Sequence, residues 1–202
     1  MHSYEVESSD VVYQGTVIAL RRDIVSMPGG STGQRDVVVH PGAVAVVALD
    51  DEDRVLLVNQ YRHPVRRRLD ELPAGLLDVS GEPALAAAQR ELAEEAGLEA
   101  GEWHVLLDVL TSPGMTDESI RVYLARSLRP CERDVQEHEE LELTSRFEPL
   151  DEAVRRALAG ELENAAAVMG VLAASAAAAS GFAGLRPAEA PWTARPHAVP
   201  PA

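Results

Sequence analysis

The chain has 202 residues, and all 18 of its basic side chains are arginines, so it contains no lysine. Its 33 acidic residues give a formal net charge of −15. The missing lysine excludes Schiff-base chemistry, which needs a lysine amine, and a Walker-type phosphate loop, which needs its own lysine. The negative charge argues against a nucleic-acid partner, because binding to a phosphate backbone needs clustered basic side chains.

The composition indicates an aliphatic core and a reducing compartment. Hydrophobic residues make up 46% of the chain but aromatic residues only 4%. Cys131 is the single cysteine, which excludes an intramolecular disulfide and a cysteine-based zinc site. The polar, acidic first ten residues do not resemble a secretory signal, and the alanine-rich stretch 165–179 is too short and too weakly hydrophobic to span a bilayer. We therefore expect a cytoplasmic protein without a membrane partner.

Three strands are predicted in the N-terminal segment, over residues 11–22, 23–27 and 35–40. The last two are expected to form a hairpin around the glycine-rich turn 28–33, because glycine clusters between β-branched runs are typical of turns. We interpret residues 1–42 as a small antiparallel extension that precedes the main domain.

Two strongly apolar runs follow, over residues 43–49 and 55–60. The acidic turn 50–53 joins them, so they are predicted to form a second hairpin that is covered on both faces. A helix is then predicted over 83–96, with Pro83 at its first position and Gly97 ending it. Its predicted buried face consists of Leu85, Ala88, Leu92 and Ala96.

Strands and then helices complete the predicted main domain, which we place at residues 43–180. The predicted strands cover 103–111, 119–128 and 142–148, and the predicted helices cover 150–159 and 162–179. The proline-rich tail, residues 181–202, is predicted to be disordered. The fold class is therefore α/β (α+β).

Three glutamates share one face of the predicted helix. Glu91 and Glu95 are four residues apart and Glu94 lies three residues after Glu91, so their side chains are neighbours that repel each other. Arg90 is the only cation in this helix. On the glutamates alone we favour a solvated acidic face. The alternative is a cradle for Mg²⁺ or Mn²⁺, which prefer hard oxygen ligands.

The spacing around these glutamates reverses that preference. The segment resembles the Nudix box, G-x5-E-x7-R-E-U-x-E-E-x-G-U, in which U is a bulky aliphatic residue. The matching residues are Gly75, Glu82, Arg90, Glu91, Leu92, Glu94, Glu95, Gly97 and Leu98. Six residues rather than five separate the first glycine from the first glutamate, and the extra residue falls in the loop before the helix.

The resemblance implies a fold, a cofactor and residue roles. Nudix hydrolases have an α/β/α sandwich around a mixed sheet, and they use divalent metal to hydrolyse a diphosphate linked to another moiety. The resemblance implies that Glu91 and Glu95 bind metal directly. It also implies that Glu94 supports the metal, directly or through water, and that Arg90 orients a glutamate. Mg²⁺ is the expected metal, with Mn²⁺ possible.

Two flanking segments narrow the resemblance to the ADP-ribose pyrophosphatase branch. The segment 71–75 is similar to the residues that precede the box in that branch, where a backbone carbonyl at the position of Ala74 also binds metal. Pro113 follows Leu98 by 15 residues, a spacing associated with the same branch. Without that spacing, the Ser-Pro-Gly sequence would indicate only a turn.

Candidate substrate contacts also follow from the resemblance. The segment 59–64 resembles a strand end of the branch, in which the residue matching Arg62 faces the substrate phosphate or ribose. A solvated basic cluster of Arg62, Arg66, Arg67 and Arg68 is an equally good interpretation. The implied substrate-binding residues are Arg62, Arg66, Glu71, Gly114 and Met115.

An acidic loop, residues 134–142, supplies the candidate general base. The branch activates water with a glutamate in the loop before the last strand, and this pattern favours Glu139, with Glu137 or Glu140 as alternatives. Neighbouring carboxylates raise the pKa of such a base. A solvated loop is the other explanation for so many carboxylates. His138 is less favoured, because the pattern calls for an acid.

The sequence therefore predicts a Mg²⁺-dependent ADP-ribose diphosphatase that releases AMP and ribose 5-phosphate. One alternative is hydrolysis of another nucleoside diphosphate sugar, such as a GDP-sugar. A second is a Nudix-like domain that binds ADP-ribose without hydrolysing it. The resemblance also implies that the N-terminal extension joins a homodimer.

Overall fold

The computed structural model describes residues 3–132 and 142–196, which form eleven strands and three α-helices. The strands are β1 (Val6–Gln14), β2 (Ala19–Ser26), β3 (Thr32–Val39), β4 (Ala43–Ala48), β5 (Arg54–Arg62), β6 (Arg67–Glu71), β7 (Ala74–Leu76), β8 (Leu98–Leu110), β9 (Ser119–Pro130), β10 (Thr144–Pro149) and β11 (Arg186–Pro187). The helices are α1 (Ala84–Ala96), α2 (Leu150–Ala159) and α3 (Ala165–Ala178).

The N-terminal strands form a separate antiparallel sheet in the order β1-β2-β3. The predicted small antiparallel sheet is thus confirmed, but its predicted strand bounds are wrong. A turn, closed by a 2.8 Å bond from Gly15 N to Ile18 O, divides the predicted strand 11–22. The predicted strand 23–27 is consequently the end of β2 rather than a strand of its own.

The predicted second hairpin is wrong, because β4 and β5 diverge into two different sheets. A single bridge between Leu49 and Val55 links the two runs. β4 pairs in parallel with β9 and antiparallel with β7, whereas β5 lies between β10 and β6. Both runs are nearly continuous in apolar residues because each is a buried central strand, which the sequence pattern does not distinguish from a hairpin.

The core has two halves, one on each face of the sheet with order β11-β8-β9-β4-β7. Val47 and Leu124 belong to the half that contains α2 and α3 residues, and Val46 and Tyr123 belong to the half that contains α1 residues. Adjacent residues fall in opposite halves because successive side chains of a strand point to opposite faces. The predicted α/β sandwich around a mixed sheet is confirmed.

The helices closely match their predictions. α1 begins one residue later than predicted, with Pro83 as its N-cap, and Gly97 ends it in the left-handed conformation. Ala88 and Leu92 are buried as predicted, whereas Leu85 and Ala96 are half-buried against the same part of the core. None of the helices in the described part of the chain is long and apolar enough to cross a membrane.

The prediction of a disordered tail is wrong for residues 181–196. β11 pairs with β8, and Ala188 is buried in the same half of the core as α1. Trp192 donates from Nε1 to Ser119 Oγ at 3.1 Å. This segment packs because it has specific partners on β8 and β9, which a proline-rich composition does not reveal.

Candidate active site

Gly75 brings the edge strand β7 against α1. A Cβ atom at position 75 would collide with the Glu91 carboxylate, so a residue with no side chain is required for this close approach. The loop between Gly75 and α1 contains the extra residue, and Gly75 nevertheless lies against the helix. Gly81 takes a φ of +79°, and Glu82 N donates to Val79 O at 3.2 Å, which closes a turn just before the helix.

Glu95 joins the same strand through the backbone. Ala74 N donates to Glu95 Oε2 at 3.0 Å. Glu91 is 8% exposed and Glu95 is 6% exposed, so α1 buries two carboxylates against β7. This finding contradicts the interpretation of the acidic face as fully solvated, because burying carboxylates costs free energy unless they are paired or bind a metal.

Arg90 links the remaining acids of the cluster. Its Nε and Nη2 atoms donate to the two oxygens of Glu82 at 3.1 and 3.2 Å. Its Nη1 atom donates to Glu91 at 2.7 Å and to Glu94 at 2.9 Å. The hydrogen bonds to Glu82, followed by the charges of the other glutamates, raise the pKa of Arg90 well above its usual value. A single guanidinium therefore fixes three carboxylates.

The cluster has the donor chemistry that a divalent cation requires. Glu82, Glu91, Glu94 and Glu95 carry one negative charge each, so with Arg90 the group has a formal charge of −3. Within residues 3–132 and 142–196, no three acidic, histidine or cysteine side chains already converge as metal ligands. Oxygens of Glu91 and Glu94 instead accept hydrogen bonds from Arg90, and an oxygen of Glu95 accepts one from the Ala74 amide. Their oxygens nevertheless fit a hard cation such as Mg²⁺ or Mn²⁺.

A cleft of about 430 Å³ lies beside this cluster. Ala74, Gly75, Arg62 and Glu71 all line it. Arg62 donates from Nε and Nη2 to the two oxygens of the buried Glu71 at 2.9 and 2.7 Å. The structure thus brings two of the predicted substrate contacts together as an ion pair, at the wall of a cleft that contains the predicted metal-binding carbonyl.

His40 and Glu118 also line the cleft, and the sequence interpretation missed both of them. Gly42 N donates to His40 Nδ1 at 3.1 Å, so Nδ1 is the acceptor and Nε2 is the donor of the ring. His40 Nε2 lies 3.7 Å from Glu118 Oε1, beyond direct hydrogen-bonding range. Thr111 fixes the other carboxylate oxygen at 2.5 Å. A donor and an acceptor thus stand side by side, a pattern that suits a hydroxyl group.

The other predicted substrate contacts lie elsewhere. Gly114 and Met115 line a second cleft of about 570 Å³, together with β3 and residues 193–196. Arg66 has a φ of 54° at the end of the short turn His63–Val65, and within the described residues it is not part of the cleft that Arg62 lines. In the described part of the chain, these three residues therefore do not line the cleft together with Arg62.

The predicted basic cluster is largely neutralised by acids. Arg67 pairs with Glu163, and Arg68 lies 3.3 Å from Glu142 and donates to Asn59. Arg62 pairs with Glu71, as described above. Three of the four arginines are therefore paired with carboxylates, which weakens the interpretation of the run as a simply solvated basic cluster.

Glu139 and its alternatives Glu137 and Glu140 lie outside the described residues, as does His138. The described chain resumes at Glu142, whose backbone oxygen accepts a 2.6 Å bond from Arg68. Their roles stay predictions.

The fold and the cluster together define a class of protein in which a helix presents buried carboxylates beside the edge strand of a mixed sheet. A family model described as NUDIX domain matches residues 39–169, and the chain belongs to the Nudix family. The resemblance inferred from the box spacing is confirmed.

Individual relatives agree with this assignment. The chain is 52% identical over 197 residues to an ADP-ribose pyrophosphatase of Mycobacterium tuberculosis, and the alignment covers 98% of this chain and 95% of the relative. It is 39% identical over 138 residues to an ADP-ribose pyrophosphatase of Bacillus subtilis, with 67% and 74% covered. A solved structure described as an ADP compounds hydrolase superposes with a TM-score of 0.77 over 90% of this chain and 97% of that chain. Its sequence identity is 20%, so it supports the fold alone.

Proposed function

We propose that this protein hydrolyses ADP-ribose to AMP and ribose 5-phosphate with the help of Mg²⁺, and that Mn²⁺ can replace Mg²⁺. The observation that carries the proposal is the pair of buried carboxylates, Glu91 and Glu95, held against β7 next to a cleft. The cleft volume of about 430 Å³ is in the range of small-molecule sites. The near-full-length similarity to an ADP-ribose pyrophosphatase supports the choice of substrate.

The residues of the cluster have different proposed roles in metal binding. Glu91 and Glu95 are the proposed direct ligands, Glu94 supports them and the Ala74 carbonyl is the proposed backbone ligand. Arg90 keeps the carboxylates in place through its hydrogen bonds. A bound divalent metal would offset the charge of the diphosphate and of the phosphoryl oxygens as the anhydride bond breaks.

The remaining proposed roles concern the substrate and the attacking water. Arg62, oriented by the buried Glu71, is the proposed contact for a phosphate or ribose oxygen at the cleft wall. Arg66, Gly114 and Met115 stay proposed contacts only if the substrate extends beyond this cleft. Glu139 is the proposed base that takes the proton of the attacking water.

A substrate panel tests this proposal. With Mg²⁺ present, we expect kcat/KM for ADP-ribose to exceed that for GDP-mannose or another nucleoside diphosphate sugar by at least about tenfold, the low end of the discrimination that a binding pocket achieves between related substrates. Product identification by chromatography should give AMP and ribose 5-phosphate. Preference for a GDP-sugar would support the alternative substrate. No hydrolysis of any nucleotide, with ADP-ribose still bound, would support a binding module instead.

We also propose that the chain forms a homodimer through the N-terminal sheet and works in the cytoplasm. Eight of the nine residues of the edge strand β1 are exposed. They include apolar side chains that are about half exposed: Val6, Val11, Val12 and Tyr13. An apolar edge strand is a template for pairing with another chain, and a second copy is the occupant that the branch resemblance implies. The single cysteine is consistent with a reducing compartment.

Charge on β1 should break the proposed dimer. We expect the wild type to have twice the mass of one chain in light scattering, and the double variant Val11→Asp/Tyr13→Asp to have the mass of one chain, because the new carboxylates would be desolvated at the interface. Leu158→Asp, which changes an exposed apolar residue of α2, is the control and should remain dimeric. A dimeric double variant would contradict the proposed interface.

A further inference from the structure

The C-terminal segment is clamped to the sheet by a buried arginine. We define residues 186–196 as the C-terminal strap. Arg121 of β9 is 3% exposed, and its guanidinium donates to both oxygens of Asp108 at 2.7 and 3.0 Å. It also donates to the backbone oxygens of Ala190 at 2.7 Å and Pro191 at 3.1 Å. Because a buried charge is costly unless its hydrogen bonds are made, the strap is part of what makes this arginine tolerable.

An aromatic side chain secures the strap at the same place. Trp192 lies over the Arg121 guanidinium, with 4.9 Å between the guanidinium carbon and the ring centroid. Its indole N–H donates to the buried Ser119. Arg186, at the beginning of the strap, donates to Asp108 at 2.7 Å. The strap is therefore fixed from its first residue to Trp192 by charged and aromatic contacts.

Beyond Trp192 the strap reaches the loop that precedes the glutamate helix. Arg195 donates from Nη2 to the backbone oxygen of Glu82 at 3.3 Å. Pro196 packs so closely on Gly42 that a Cβ there would lie 3.0 Å from its Cδ atom. Gly42 O in turn accepts a 3.0 Å bond from Leu77 N. The strap thus contacts the last residue of the loop 77–82 directly, because Arg195 binds the Glu82 backbone. It contacts the first residue of the loop, Leu77, indirectly through Gly42.

We propose that the C-terminal strap positions the carboxylate cluster, and that Arg195 is a positioning residue for it. Arg195 holds the backbone of Glu82, the side chain of Glu82 holds Arg90, and Arg90 holds Glu91 and Glu94. The proposal rests on the metal site of the proposed function.

Direct binding of Mn²⁺, followed by electron paramagnetic resonance, tests the strap without any turnover. We expect Arg195→Ala to raise the Mn²⁺ dissociation constant by about tenfold, the low end of what loss of an outer-shell partner costs. The Mg²⁺ concentration for half-maximal activity should rise by the same factor, while KM for ADP-ribose changes less than twofold. Arg195→Lys retains a donor for the Glu82 carbonyl and should recover most of the loss.

Arg155→Ala is the matched control, because Arg155 is an exposed arginine of the helix α2 that pairs with Glu152 of the same helix and with Glu161 just beyond its end. It should bind Mn²⁺ like the wild type. Trp192→Ala, which releases the strap further back, should weaken Mn²⁺ binding at least as much as Arg195→Ala, with its melting temperature measured in parallel. A Mn²⁺ dissociation constant that is unchanged in Arg195→Ala, or that rises equally in Arg155→Ala, would overturn the proposal. Failure of the wild type to cleave ADP-ribose would overturn only the proposed function, since the binding comparison does not depend on it.

Discussion

Replacing Glu95 by glutamine is expected to lower kcat for ADP-ribose hydrolysis by about 10³-fold or more, because a proposed metal ligand loses its charge. Glutamine has almost the same shape as glutamate, and its amide oxygen can still accept the hydrogen bond from Ala74 N. The helix α1 should therefore stay packed against β7. Steady-state kinetics at saturating Mg²⁺ measures the effect, and circular dichroism and the melting temperature establish that the variant is folded.

Glu99→Gln is the control for this experiment. Glu99 is an exposed glutamate just beyond α1, 3.4 Å from Arg129. The substitution removes one negative charge from the same region without affecting β7. The kcat of Glu99→Gln should therefore remain within about twofold of the wild type, as expected for a surface change. Near-normal turnover by Glu95→Gln would exclude the proposed metal site, whereas an equal loss in both variants would point to the net charge of the region rather than to a ligand.

The helix and its cluster were predictable from sequence because their determinants are local. Pro83 and Gly97 mark the ends of α1, and the four-residue spacing of Glu91 and Glu95 is sufficient to place them on one face. The divergence of β4 and β5 was not predictable, because their partners β9 and β10 lie far away in sequence. Apolar patterning indicates that a strand is buried but not which strand it pairs with.

The residues that line the cleft show the same limit, namely that local sequence patterns do not predict distant contacts. The ion pair of Arg62 with Glu71 joins residues only nine positions apart, and both had been singled out by the branch resemblance. His40 was missed, because it meets Glu118 through contacts between segments far apart in the sequence, namely the bridge of Val38 with Thr116 and the parallel pairing of β4 with β9. The clamp on the strap was missed for the same reason, since Arg121 and Ala190 are 69 residues apart. Predicting such pairs would require information on contacts between residues that are far apart in the sequence.

Replacing Gly75 by alanine is expected to be the most damaging single-methyl change in the site. The added Cβ would occupy the position of the Glu91 carboxylate, so either Glu91 must turn away from β7 or the strand must move. Overpacking of this kind costs about 1–3 kcal/mol in the free energy of unfolding. Because Glu91 is a proposed ligand, kcat should also fall by about 10²-fold or more. Urea denaturation and steady-state kinetics measure the two effects.

Gly101→Ala is the control for the added methyl group. Gly101 lies on an exposed part of β8, and a Cβ atom there would lie 3.3 Å from the side chain of Ser127 on β9. The stability and turnover of Gly101→Ala should change little. A double-mutant cycle with Glu91→Ala then separates the collision from a general effect on β7. If the Glu91 carboxylate is what the methyl group meets, Gly75→Ala should cost much less stability once Glu91 is alanine. An equal cost in both backgrounds would show that the strand itself, and not the carboxylate, requires glycine at position 75.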